Sequence, residues 1–120
     1  MSTHWDRAAA LHRLDGDEPL LEELIGVFFQ DYPTVSERLS QALLCGDLDS
    51  ACETAHSLKG SLVYIGFSDA ADLALEIEKA SRAKDSAGAQ QAAAALRTEI
   101  ATVQQVLAST GEPTYGSVAE

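Results

Sequence analysis

Apolar residues recur along this chain at steps of three and four, the spacing that places them on one face of a helix. Leu21, Leu24, Ile25 and Phe28 follow i, i+3, i+4, i+7. Leu48, Ala51, Ala55, Leu58, Leu62 and Ile65 repeat the pattern, as do Leu73, Ala74, Ile77 and Ala80, and then Leu96, Ile100, Val103 and Leu107. No stretch alternates apolar and polar residues in the period of two that a half-buried strand requires.

Punctuation between these stripes sets the elements. A short first helix is predicted over about 6–14, broken by Asp15-Gly16-Asp17. Asp17 suits an N-cap, with Glu18 and Pro19 in the first turn. Pro33 is predicted to interrupt the second stripe, with Thr34 capping a restart that carries Val35, Leu39, Ala42 and Leu43 to Gly46. Asp47 starts the next helix and Gly66 stops it. Ser68-Asp69 is predicted to cap the following one, and Asp85-Ser86-Ala87-Gly88 to form a turn before the last. Residues 110–120, with Gly111, Pro113 and Gly116, read as a flexible tail. Amphipathic helices joined by short turns bury their stripes against each other. The expected fold is all-α: an up-down four-helix bundle with a short additional N-terminal helix, one domain over 1–109.

Composition narrows the function. The chain has 120 residues, 46% of them hydrophobic, and a formal charge of −11 from 8 basic and 19 acidic residues. Such a chain repels nucleic acid and anionic membrane, and suits a partner with a basic surface. No apolar run is long enough for a membrane span, and the start has no signal-like basic region, so a cytoplasmic protein is expected. The two cysteines, Cys45 and Cys52, read as free thiols. With three scattered histidines they build no metal-finger spacing.

The stripes account for stability, so function rests on polar residues in unusual places. His4 and His12 read as surface residues. His56 differs. The core stripe of its helix falls within roughly 80° of the wheel, and His56 lies roughly 130° from its centre, facing solvent or a helix edge. Lys59 and Gly60 are one turn on, Val63 is two turns on, and Cys52 is one turn back. A mid-helix glycine costs about 1 kcal/mol relative to Ala, and here it sits opposite the core stripe. That favours close approach of something bulky over room for a neighbouring helix. In an antiparallel hairpin centred near Phe67, His56 and Glu78 are equidistant from the turn. Glu78 is thus placed to accept a hydrogen bond from one ring nitrogen and leave the other nucleophilic. An imidazole so prepared, beside a lysine, suits the acceptance of a phosphoryl group.

These residues carry a resemblance. Ala55-His56-Ser57-Leu58-Lys59-Gly60-Ser61, with Gly66 ten residues after the histidine, resembles the signature of the histidine-phosphotransfer (HPt) family. Gly16-Asp17-Glu18-Pro19-Leu20-Leu21, Ala42-Leu43 followed by Gly46-Asp47-Leu48, and Leu75-Glu76-Ile77-Glu78 are similar to the family's flanking phrases, over roughly residues 6–107. The resemblance implies an HPt-like bundle that relays a phosphoryl group between aspartates of receiver domains, one on a hybrid sensor kinase and one on a response regulator. It implies His56 as the phosphorylated residue, Lys59 as its charge partner, Gly60 as the clearance position and Glu78 as the group orienting the ring. It implies no cofactor, with magnesium on the receiver only and no metal site here. A stand-alone monomeric carrier is expected.

Bulky residues follow the Lys-Gly step. Val63 and Tyr64, with Cys52, Glu53 and Ser57, are expected to form the docking face, and one of Phe28 and Phe29 to border it. No Gly-rich nucleotide loop is present, so a carrier without kinase activity is expected. The competing reading is a helical adaptor using the same face without phosphate. A hydrolase or metal protein using His56 has little support, because no second histidine or third ligand is predicted near it.

Overall fold

Five helices account for the regular structure of residues 4–109, the part of the chain that the computed structural model describes, and no strand occurs among these residues. They are α1 (Arg7–Arg13), α2 (Glu18–Cys45), α3 (Leu48–Tyr64), α4 (Ser68–Arg82) and α5 (Ser86–Ser109). The expected tail, 110–120, lies outside the described residues.

Local chemistry starts and stops most of them. Asp6, Asp17 and Asp47 each accept a hydrogen bond from the backbone N–H three residues on, at 3.0, 3.1 and 3.1 Å, satisfying a donor the first helical turn leaves unpaired. Gly46 ends α2 in the left-handed conformation, φ +76°.

Three expectations are corrected. Pro33 does not interrupt α2, which runs unbroken from Glu18 to Cys45. A proline inside a helix costs about 3 kcal/mol. Both halves of α2 bury apolar side chains in the same core, Leu21, Ile25, Phe28 and Phe29 before the proline and Leu39, Ala42 and Leu43 after it, and that packing outweighs the lost hydrogen bond. Ser68-Asp69 does not cap α4. The N-cap is Phe67, which makes no side-chain capping bond. Its ring is fully buried, edge-on to Phe28 at 5.7 Å and tilted against Phe29 at 5.9 Å, so burial takes the position a capping side chain would have used. Ser86 to Gly88 are not a turn but the start of α5, with the Asp85 carboxylate accepting from Gly88 N at 2.9 Å.

The four long helices share one core. Ala51, Ala55, Leu58 and Leu62 of α3 face Ala70, Ala74 and Ile77 of α4, and Leu96, Ile100, Val103 and Leu107 complete the interior from α5. α3 packs most extensively on α4, so small residues at Ala51, Ala55, Ala70 and Ala74 bring those two axes close. Phe28 and Phe29 are both buried in this core. The two rings meet edge to face at 5.1 Å and share Phe67, and Phe28 also lines the groove beside Ser57 and Tyr64, so one of the pair borders the expected docking face.

The N-terminal segment is strapped to the α3–α4 connection. Trp5 is buried and its Nε1 donates to Ile65 O at 3.2 Å, while Asp6 N donates to Gly66 O at 2.6 Å. Gly66 has φ +87°, and a Cβ there would overlap Asp6 O. Backbone conformation and close approach both require glycine.

Candidate functional site

The α3–α4 pairing sets the site. His56 projects from the face of α3 away from the core, its side chain 66% exposed. Glu78 projects from α4 toward it with its side chain only 5% exposed. His56 Nδ1 and Glu78 Oε2 are 3.0 Å apart. The equidistance of these residues from the Phe67 turn therefore brings them together as expected.

Burial alone would push the Glu78 carboxyl up. Hydrogen bonds from Arg82 and His56, and the charges of His56 and Lys59, outweigh it and hold the group below the ordinary carboxylate range. An ionised carboxylate only accepts, so Nδ1 carries the donated proton. In the neutral ring Nε2 then keeps its lone pair, on the edge turned away from Glu78.

Two cations share this carboxylate. Arg82 Nη2 donates to the same oxygen, Oε2, at 2.8 Å, one helical turn beyond Glu78. Lys59 Nζ stands 3.7 Å from the other oxygen, Oε1. That is an ion pair beyond hydrogen-bond length, and buried Oε1 has no hydrogen-bond partner among the described residues. Lys59 is thus placed beside His56 but loosely tied. Arg82 was not singled out in the sequence. Its signal was available as the i, i+4 pair Glu78–Arg82, the spacing at which opposite charges meet on a helix, but only the position of Glu78 beneath His56 gives that pair meaning.

A Cβ on Gly60 would have no neighbour within 4 Å, leaving aside the helix's own nearby backbone. The glycine therefore makes room for no other helix and leaves a bare surface one turn from His56.

The expected docking residues divide. Cys52 and Glu53 line a shallow depression with His56, Glu78 and Arg82. Ser57 and Tyr64 lie on the other flank of α3, in an apolar groove of about 320 Å³ against Leu24, Val27, Phe28 and Tyr32 of α2. Val27, Val63 and Tyr64 are exposed large hydrophobic residues. His56 thus stands between a polar depression on the α4 side and an apolar groove on the α2 side.

His4, expected as a surface residue, is half-exposed, and it also belongs to a cluster joining distant segments. Its Nδ1 is 2.5 Å from Glu99 Oε2 and 3.5 Å from Asp69 Oδ2. The Glu99 hydrogen bond raises the His4 pKa above its ordinary value; desolvation opposes this, and the charges of Glu99 and Asp69 add to it. Among the described residues this is the group whose donor atoms, within 4.8 Å of one another, have the chemistry to hold a metal ion. The short His4–Glu99 hydrogen bond occupies those atoms as an ion pair. No helix of the described residues is long and apolar enough to cross a membrane.

Comparison with known proteins agrees with this geometry. A family model described as the Hpt domain matches residues 23–106. That span runs from the second turn of α2 to near the end of α5 and contains His56, Lys59, Gly60, Glu78 and Arg82. No curated protein and no solved structure gives a significant match. Since the match covers well over half of the chain and the whole of the His56 site, the chain belongs to the Hpt domain family.

Proposed function

We propose that this protein relays a phosphoryl group through His56 between aspartates of two receiver domains, one of a hybrid sensor kinase and one of a response regulator. Hpt domains are phosphocarrier modules of phosphorelays. The observation that carries the reading here is the pairing of an exposed imidazole with a buried, ionised carboxylate at Nδ1.

In the transfer the Nε2 lone pair attacks the phosphorus of an aspartyl phosphate. The N–P bond forms, the acyl-phosphate P–O bond breaks, and its electron pair leaves on the aspartate carboxylate. Nδ1 keeps its proton, and the positive charge on the phosphorylated ring faces Glu78. Lys59, tied only at 3.7 Å, is free to turn toward the phosphoryl oxygens. The bare surface at Gly60 admits the receiver's aspartate. The apolar groove and the exposed Val63 and Tyr64 serve as the docking face, with Cys52, Glu53 and Ser57 at its margins. Magnesium belongs to the receiver on this reading, and the carrier has no kinase activity and acts as a monomer.

The test is transfer from a panel of phosphorylated receiver domains, with His56→Gln as the control. Label that is lost in acid and survives base, on the wild type and not on the variant, is the expected result. Receivers that bind without labelling the wild type would overturn the reading in favour of an adaptor.

A further inference from the structure

A carboxylate beneath a histidine has two opposed effects. It fixes the tautomer by accepting the Nδ1 proton. It also attracts a second proton to Nε2, which removes the lone pair that a nucleophile needs. This molecule contains the His–Glu contact twice, in different electrostatic settings. At His4, Glu99 and Asp69 both face the ring, and its pKa is raised. At His56 the carboxylate is shared with two cations, and the shorter contact is that of Arg82, on the very oxygen that accepts from Nδ1. The same Arg82 Nη2 also lies 3.8 Å from Cys52 Sγ, one turn before His56 on α3, while the rest of the side chain is exposed. Its 2.8 Å bond to Glu78, one turn away on the same helix, keeps the charge beside the carboxylate.

We propose that Arg82 is a positioning residue of the phosphoryl-transfer site: acting through Glu78, it offsets the carboxylate's charge, so that Glu78 orients the ring without drawing a proton onto Nε2. The charged and titratable groups facing His56 are Glu78 and Arg82 from α4, and Cys52, Glu53 and Lys59 from α3 itself. Glu53 and Glu78 favour a protonated ring; Lys59 and Arg82 oppose it. Lys59 is the cation free to leave for the phosphoryl oxygens, so Arg82 carries the balance while transfer takes place.

The inference rests on the phosphotransfer reading of His56, and the experiment separates the two. Ring nitrogen resonances of the full chain are followed by NMR against pH in wild type, Arg82→Gln and Arg82→Lys. Phosphoryl uptake by the same proteins is measured with phosphoramidate, whose P–N bond breaks as His56 attacks and ammonia leaves, so no receiver is needed. In Arg82→Gln, which keeps a donor and loses the charge, the midpoint of the His56 titration moves to higher pH. Uptake falls about two- to threefold near pH 6 with little change near pH 8.5, as expected when only the fraction of neutral ring differs. Arg82→Lys stays near wild type. If Arg82 only braced the Glu78 side chain, the glutamine variant would loosen the His56 contact and move the midpoint to lower pH. That result, or an unchanged midpoint, would overturn the inference. Failure of wild-type His56 to take up phosphoryl from both phosphoramidate and receivers would overturn the functional reading instead, while the ring titration would still decide the effect of Arg82.

Discussion

Gly60→Ala should make this protein more stable and a poorer phosphoryl carrier. The position lies inside α3, one turn before its last residue, Tyr64, and well beyond its first turns. A Cβ there meets nothing within 4 Å, so the substitution neither clashes nor gains packing. Helix propensity alone then sets the change, about 0.8–1 kcal/mol in favour of Ala. For a two-state domain of roughly this size that is an increase in Tm of about 3–4 °C, and in urea a midpoint raised by about 0.5 M with unchanged slope. Far-ultraviolet circular dichroism reads the helices and the fluorescence of buried Trp5, the chain's one tryptophan, reads the core. Gly60→Leu is the companion variant: it should retain most of the helix gain and place a bulky side chain one turn from His56, lowering transfer at least about tenfold. A neutral or destabilising Gly60→Ala would refute the open-surface argument. Normal transfer by Gly60→Leu would refute the clearance role.

Gly66→Ala should do the opposite, costing about 2 kcal/mol or more in urea denaturation, because φ is +87° and the new Cβ would overlap Asp6 O. For Glu78, the folded carboxyl titrates below its ordinary value near 4.3, so its stabilising effect is full above about pH 5 and lost as pH falls through the lowered value; Glu78→Gln should flatten that part of the acid denaturation profile and slow transfer. The His4 ring titrates above its ordinary value, so the stability it contributes is full below about pH 6.5 and disappears as pH rises through the raised value. His4→Gln should accordingly destabilise the protein at pH 6 and leave it nearly unchanged at pH 9, as thermal melts at both values would show. Lys59→Ala should shorten the lifetime of phosphorylated His56 while changing stability by no more than about 1 kcal/mol, since its 3.7 Å pair with buried Glu78 is loose and Arg82 still pairs that carboxylate.

The helical periodicity, the aspartate caps and the two glycines Gly46 and Gly66 were legible without coordinates, because each depends on a handful of neighbouring residues. So was the face of His56, which follows from 100° per residue. Even the His56–Glu78 pairing was accessible, since a tight antiparallel hairpin converts equal separation from its turn into proximity. The misreadings share a cause. Pro33 signals a break, Ser68 a cap and Asp85–Gly88 a turn when judged locally, but the burial of Phe28, Phe29, Leu39 and Phe67 in one core decides the first two. His4 is at the surface, as its sequence context suggested, but only the fold brings Glu99, 95 positions away, against it. The sequence by itself determined which helices form and which histidine faces outward, both being properties of short stretches. Tertiary packing alone decided that α2 runs through its proline, that Glu78 is buried yet ionised, and that Arg82 and Lys59 share its charge, because burial and electrostatic balance exist only where separate helices meet.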